Sequence, residues 1–392
     1  MTRVRTGLEV FLERRCAPVA GRRVGLLTHA AAVDGRYRNA AALLHACGDV
    51  RLAVLFGPEH GLAAAAQDLE HVGAGRDPAT GLPVVSLYGD TVASLTPTAE
   101  QLAGLDALVV DLVDVGSRYY TFQATMLFCL QAAARVGLPV VVLDRPNPLG
   151  GVAVEGPTIR PGFDSFVGVH PIATRHGLTI GELALLYRAR LGLAVELEVV
   201  PCEGWTRAMH HDQTGLPWVL PSPNMPTPET ALVYPGQCLL EGANLSEGRG
   251  TTRPFELCGA PGVDSVAVAD RLAAEGLPGV AFRPAWFKPT FQKHAGRTCG
   301  GVQLHVTDRD AFRPVRTGLA VLAALRDATP GFAWRTEEYE FVADRPAIDL
   351  LFGSDRERLG LEAGVGWRAL AAAWEAEEEA FRRERQPFLL YE

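Results

Sequence analysis

Long apolar runs are missing from this sequence: nothing approaches the ~18 consecutive apolar residues of a membrane-spanning helix, so no membrane crossing is expected. The opening stretch 1–16 also lacks an apolar segment between a basic start and a small-residue cleavage site, which leads us to expect a cytoplasmic protein. Positive charge is the scarcer sign. Lys and Arg number 37 against 45 Asp and Glu, a formal net charge of −8, and no Lys/Arg cluster offers the basic face that phosphate neutralisation needs, so no nucleic-acid partner is expected. The basic tail residues Arg382, Arg383 and Arg385 are interrupted by Glu384 and read as a solvated helix face. Cysteine is sparse and unpatterned. Seven residues with no C-x-x-C pair exclude a zinc ribbon or a disulfide framework and read as reduced thiols packed in a core.

Familiar chemical motifs are missing too. There is no H-E-x-x-H, and His60 and His71 lack the i, i+4 spacing of a helical zinc pair, so no metal is expected. The turn at 28–35 has no G-x-G-x-x-G, and no G-x-x-x-x-G-K-[ST] occurs, so no nucleotide cofactor is expected. The absence of G-x-S-x-G disfavours an ordinary α/β-hydrolase esterase.

What is present is a globular chain of 392 residues, 48% hydrophobic and 21% charged, able to bury a large core and long enough for two or three domains. Short apolar runs at 24–28, 52–56, 84–88, 107–111 and 139–144 have the near-continuous Val/Leu/Ala content of strands buried on both faces. Helix-period segments at 39–46, 98–104 and 121–136 lie between them, the last with Gly137 as a stop signal. This alternation predicts an α/β fold: a Rossmann-like, doubly wound parallel sheet with right-handed crossovers. Beyond residue 150 the rhythm loosens to a helix at 180–191 capped by Thr179, a strand at 193–200 and a proline-crowded stretch at 216–229 that fits neither helix nor central strand. A strand at 301–307 and helices at 315–328 and 367–385 follow. We therefore expect a Rossmann-like domain over 1–229 and a smaller α+β domain over 230–392 that closes a cleft on it.

In an open parallel sheet the loops leaving the carboxyl ends of the strands converge on one crevice. Three of these loops concentrate polar chemistry. The turn 57–61 (GPEHG) holds Glu59 between a proline and a histidine, with glycines permitting unusual backbone angles. A carboxyl fixed there suits a general acid, though a turn-stabilising glutamate has the same appearance. His60 can orient Glu59, bind substrate or ligate a metal. The second loop gathers Asp111, Asp114, Arg118 and Tyr119, a set able to recognise a sugar and stabilise an oxocarbenium-like charge, or to form an internal salt bridge. Arg118 can also grip a substrate carboxylate. In the third, Asp144, Arg145 and Asn147 sit in a turn stiffened by Pro146 and Pro148, with contact to substrate or loop stabilisation as the two readings. Downstream, the stretch 239–252 offers Glu241, Asn244, Glu247 and Arg249 as partners for sugar hydroxyls; its glutamates would repel phosphate.

These stretches together resemble the bacterial exo-β-N-acetylmuramidases of the NamZ type. The resemblance is carried by 57–61 (GPEHG), 111–121 (DLVDVGSRYYT), 143–151 (LDRPNPLGG), 154–157 (VEGP), 175–182 (RHGLTIGE), 221–227 (PSPNMPT), 241–255 (EGANLSEGRGTTRPF) and 299–309 (CGGVQLHVTDR), nearly the whole chain in order. The chain departs from the family's usual pattern at Val113, where glutamine is common, and at 63–66, where a basic Gly-containing stretch is common. The resemblance implies hydrolysis of the β-1,4 bond that follows a terminal non-reducing N-acetylmuramic acid in peptidoglycan fragments. It implies Glu59 as the acid, with Asp111 or Asp114 assisting and Arg118, Arg145 or Arg249 pairing with the lactyl carboxylate. His176 and Asn224 fall in the matching stretches and join the expected substrate contacts. A catalytically silent muropeptide-binding protein and a metal-dependent hydrolase are the other readings of the same residues.

Overall fold

The computed structural model describes residues 3–67, 70, 73 and 75–392, so His71 lies outside the described residues. Seven strands form the main sheet: β1 Arg23–Thr28, β2 Arg51–Gly57, β3 Gly75–Arg76, β4 Pro83–Ser86, β5 Ala107–Asp111, β6 Val140–Leu143 and β7 Leu197–Val200. Their order is β3-β4-β2-β1-β5-β6-β7, parallel throughout except where the short edge strand β3 runs against β4. The α/β fold with its parallel sheet is as expected. Alternation along each strand shows why the sequence folds this way. Val24, Leu26, Val109, Val141 and Leu143 pack on one face with Leu8 and Phe11 of the helix Gly7–Glu13. Leu27, Leu108, Val110, Val140 and Val142 pack on the other with the helices Phe122–Val136 and Ile180–Arg190. Both faces are apolar because both are covered.

The helix Phe122–Val136 stops at Gly137, whose φ of 69° is the left-handed cap that glycine favours. Thr179 and Glu182 form a reciprocal capping box that starts Ile180–Arg190. The later strand is shorter than the run 193–200 suggests, and its edge position leaves half of it wet.

The second sheet is β8 Leu257–Ala260, β9 Val280–Phe287 and β10 Cys299–Val306, antiparallel in the order β8-β10-β9. It packs with the helices Ser265–Ala274 and Pro228–Gln237, and the helix Pro314–Ala328 packs on both of these. Pro314–Ala328 crosses the helix Pro228–Gln237 at two glycines. A Cβ on Gly236 would stand 1.9 Å from the Pro314 carbonyl oxygen and one on Gly318 2.2 Å from that of Gly236, so only glycine permits this approach. The expected single helix over 367–385 is two, Trp367–Ala372 and Glu375–Arg385. The break at Trp374 turns its indole into the core, where Nε1 donates to Glu357 at 2.8 Å. One apolar cluster runs without interruption from Leu127 and Leu183 to Leu322, Phe352 and Trp374, joining both sheets' layers. No helix among the described residues is long and apolar enough to cross a membrane.

Candidate active site

The strand order reverses at β1, which pairs β2 on one side and β5 on the other. At this switch point loops diverge and leave a crevice at the carboxyl edge. The turn after β2 delivers Glu59 there. His60 at φ 68° and Gly61 at φ 75° give the tight left-handed path that the chain needs to bring the carboxylate back over the sheet. His60 Nδ1 lies 2.9 Å from the Ala66 carbonyl oxygen, which steadies the loop.

Glu59 is buried, and Thr121 Oγ1 donates to its Oε2 at 2.5 Å. Thr121 occupies the N-cap of the helix Phe122–Val136 yet makes no side-chain cap bond, its hydroxyl being turned to Glu59 instead. Among the described residues no second protein donor reaches this carboxylate, so one oxygen stays uncommitted in a site otherwise dense with bonds.

The walls come from both halves of the chain: Tyr119, Tyr120, Ser222 and Asn224 from one, Tyr234, Glu241, Arg249, Phe255, Tyr339 and Glu340 from the other. Aromatic rings meet edge to face, Tyr119 with Tyr234 at 5.7 Å, Tyr120 with Tyr234 at 5.9 Å and Tyr234 with Phe255 at 4.9 Å. The Tyr119 hydroxyl donates to the Pro235 carbonyl. Burial pushes the phenols of Tyr119, Tyr120, Tyr234 and Tyr339 well above the usual range, so they act as neutral donors. Arg249 lies over Phe255, 5.1 Å from the ring centroid, and reaches Glu241 at 2.9 Å and Glu247 at 3.2 Å. Tyr339 donates to Glu241 at 2.8 Å and Tyr88 to Glu340 at 3.1 Å. Phe255 at φ 62° and Glu340 at φ 48° add left-handed backbone to that of His60, and such strain persists where a site over-determines it.

The crevice is small, with a cavity volume of about 40 Å³, room for a few waters. Beyond the Glu241 and Arg249 wall lies a cavity of about 400 Å³, lined also by Asn244, Glu247, Lys293, His294 and Trp334.

Of the residues singled out from the sequence, Glu59, His60, Tyr119, Asn224, Glu241 and Arg249 meet in the crevice. Asn244 and Glu247 face the adjoining cavity instead. Glu247 is ion-paired to Lys293 at 2.8 Å; burial opposes its charge, but Lys293 and Arg249 hold its carboxyl below the usual range. Asn244 ties the loop at 331–333 through bonds to Gly331 and Ala333.

The structure does not bring the remaining residues into this crevice. Asp111 gives both oxygens to Arg145, at 2.5 and 2.9 Å, and the third arm of Arg145 donates to the Val33 carbonyl at 3.0 Å. Arg118 is fully buried and donates to the carbonyls of Pro157, Ile172 and Leu351. Burial without a counter-ion pulls its guanidinium down to about 10. Asp144 accepts from Thr179, Gly181, Arg145 and Tyr391. Asn147 bonds the Leu178 carbonyl and the Leu149 amide. None of these five lines the crevice. Asp114 and His176 also stay out of the crevice lining, with Asp114 Oδ2 accepting from Gly116 at 2.7 Å and standing 3.5 Å from His176 Nε2. Asp114 Oδ1 and His176 Nε2 are buried without a hydrogen-bond partner, outside the crevice lining.

The reading of the sequence missed Tyr120, Thr121, Ser222, Tyr234, Phe255, Tyr339 and Glu340. The first two sit in the same stretch as Asp111 and Tyr119, whereas Tyr339 and Glu340 belong to no motif. Among the described residues no group of three or more His, Cys, Asp or Glu side chains is placed to hold a metal ion.

Comparisons with known proteins accord with this geometry. Residues 24–229 match the N-terminal and residues 232–391 the C-terminal family model of exo-beta-N-acetylmuramidase NamZ. The peptidoglycan beta-N-acetylmuramidase NamZ of Bacillus subtilis (strain 168) is 44% identical over 389 residues, covering 99% of this chain and 92% of that protein. Two crystal structures of DUF1343 family proteins from Bacteroides fragilis NCTC 9343 superpose with TM-scores of 0.89 and 0.78, at 34% and 27% identity, each over 100% of this chain and over 100% and 99% of the neighbour.

Proposed function

The chain belongs to the exo-beta-N-acetylmuramidase NamZ family, and from that premise we propose how its residues remove a terminal, non-reducing, β-1,4-linked N-acetylmuramic acid from peptidoglycan fragments. It is a glycosidase, and its substrate is a saccharide containing muramic acid. Glu59 protonates the departing glycosidic oxygen. One observation carries this role: a buried carboxylate on a rigid turn, one oxygen held by Thr121 and the other uncommitted, at the strand switch point.

Glu241 and Glu340 on the facing wall take the part that Asp111 was expected to play, supporting positive charge as the sugar ring approaches an oxocarbenium ion. Of the three arginines considered for the lactyl carboxylate, only Arg249 lines the crevice, and we assign it that contact. Water completes the hydrolysis. The terminal sugar meets Glu59 in the crevice, and the rest of the fragment extends along Trp334 in the adjoining cavity. We divide the chain at 229/230, the first part supplying the acid and the second the opposing wall. The seven free thiols, Cys47 alone being partly exposed, support a reducing compartment such as the cytoplasm.

A chromogenic N-acetylmuramic acid glycoside tests the reading. Release of the chromophore is expected from it and not from the matching N-acetylglucosamine glycoside, with or without chelator. Turnover of the glucosamine compound alone would sink the assignment.

A further inference from the structure

Away from the crevice, a cleft of about 490 Å³ separates the segment 149–154 and residues 207–210 from residues 309–313. Five arginines line it against a single carboxylate, Asp310, whose side chain is 85% exposed to solvent. Three of the five are neutralised from outside the cleft: Arg207 by Glu182 at 2.6 Å, Arg309 by Asp212 at 2.5 Å and Arg382 by Glu378 and Glu379 at 3.6 and 3.4 Å. The other two form no ion pair among the described residues. Arg313 spends Nη1 on the carbonyls of Asp310, Ala311 and Phe312. Arg175 is 4% exposed and donates to the Leu149 carbonyl at 2.6 Å, but its buried Nε has no acceptor. His210, on the same wall, has a buried Nδ1 that is also without a partner.

This arrangement is costly as it stands. Burial, and then the charge of Arg313, weaken the Arg175 guanidinium's hold on its proton to about 10, with Glu155 and Asp310 opposing. Burial and the arginines Arg175 and Arg309 likewise keep His210 neutral. Arg118, equally buried and also open at Nε, donates to three carbonyls, whereas Arg175 donates to one. A buried guanidinium with an open donor beside a second unpaired one is the environment in which an oxyanion accepts several charge-assisted bonds.

We propose that this cleft is a second binding site, for a doubly charged tetrahedral oxyanion, either phosphate itself or the phosphate of a small monoester. Two uncompensated guanidinium groups match two negative charges, and Arg175 and Arg313 come from opposite halves of the chain. The occupant therefore bridges the halves and stabilises their association.

Thermal unfolding and calorimetry on the full chain decide this. Inorganic phosphate, and separately glycerol phosphate, are added with sodium chloride at matched ionic strength as reference. At a hundredfold excess over its Kd the anion should raise Tm by about 3 °C, the shift such occupancy gives a chain of this size; chloride should not. Binding by one of the two anions alone supports the site and identifies the source of the phosphate. Arg313→Gln should weaken binding at least tenfold while leaving glycoside hydrolysis unchanged. Arg382→Gln, at a half-exposed position, provides a second variant with a several-fold loss should the first fold poorly. No binding of either anion, an equal shift with chloride, or undiminished binding by both variants overturns the proposal.

Discussion

Two sets of polar side chains stand near the carboxyl edge of the same sheet, one around Glu59 and one around Asp111, Arg118 and Asp144, and they differ in how completely their bonds are used. Asp111 has two donors, Asp144 four and Arg118 three acceptors, all supplied by the protein. Glu59 has one. A saturated buried group has nothing left to offer a substrate and is worth its bonds in stability; an unsaturated one in a crevice is available for chemistry. The carboxylates of both sets share a place at a strand's end, so among them saturation separates machinery from scaffold.

Substitutions can break this comparison. The largest effect is expected at Glu59: Glu59→Gln should lower kcat by about a thousandfold with little change in Tm, since a general acid contributes about 10²–10⁴ in rate and this carboxylate anchors nothing but Thr121. Normal turnover of a chromogenic muramide by that variant would remove Glu59 from the acid role. Arg118→Met should do the reverse, costing about 4 kcal/mol of stability by stranding three buried carbonyls, with kcat per folded molecule unchanged in denaturant-calibrated assays.

Asp144 sharpens the contrast through pH. Burial raises its carboxyl from 3.8 to about 6 despite the hydroxyls and amides around it. The folded state thus holds the proton after the unfolded chain has released it, so the stability linked to that proton is full below about pH 4 and is lost as pH rises to about 6. Relative to the wild type, Asp144→Asn should gain up to about 3 kcal/mol between pH 4 and pH 7, read from urea midpoints at the two values; a constant difference would contradict the assignment. The smallest effect is expected at the one bond Glu59 does make. Thr121→Val should reduce kcat about tenfold, the worth of a hydrogen bond to a charged group, and Thr121→Ser should restore it; an equally inactive serine variant would point to packing instead.

Much of the fold was legible because the main strands are buried on both faces and therefore read as unbroken apolar runs. The second sheet was harder. β9 alternates half-exposed residues and contains Pro284, and β8 is only Leu257–Ala260, so neither has the signature of a core strand. The break at Trp374 inside an apparent helix depends on where an indole finds its acceptor, Glu357, which periodicity does not reveal. At the site, Glu59 and His60 could be read from a rigid turn, since glycine and proline announce its geometry. Asp111 looked as promising only because the sequence does not show that Arg145 will take both of its oxygens. Tyr339 and Glu340 were invisible for the opposite reason: they have no local pattern and reach the crevice by a long-range return of the chain.

Residues 390–392 make one more point. Tyr391 bonds Asp144 and the Cys202 amide, the Leu390 amide donates to Glu182, and the Glu392 carbonyl accepts from the Arg207 amide. A sheet whose strands are all translated by residue 200 thus waits for its final acceptors and donors until residues 390–392 have left the ribosome. The buried carboxylate at its edge is completed only once residues 390–392 have joined it.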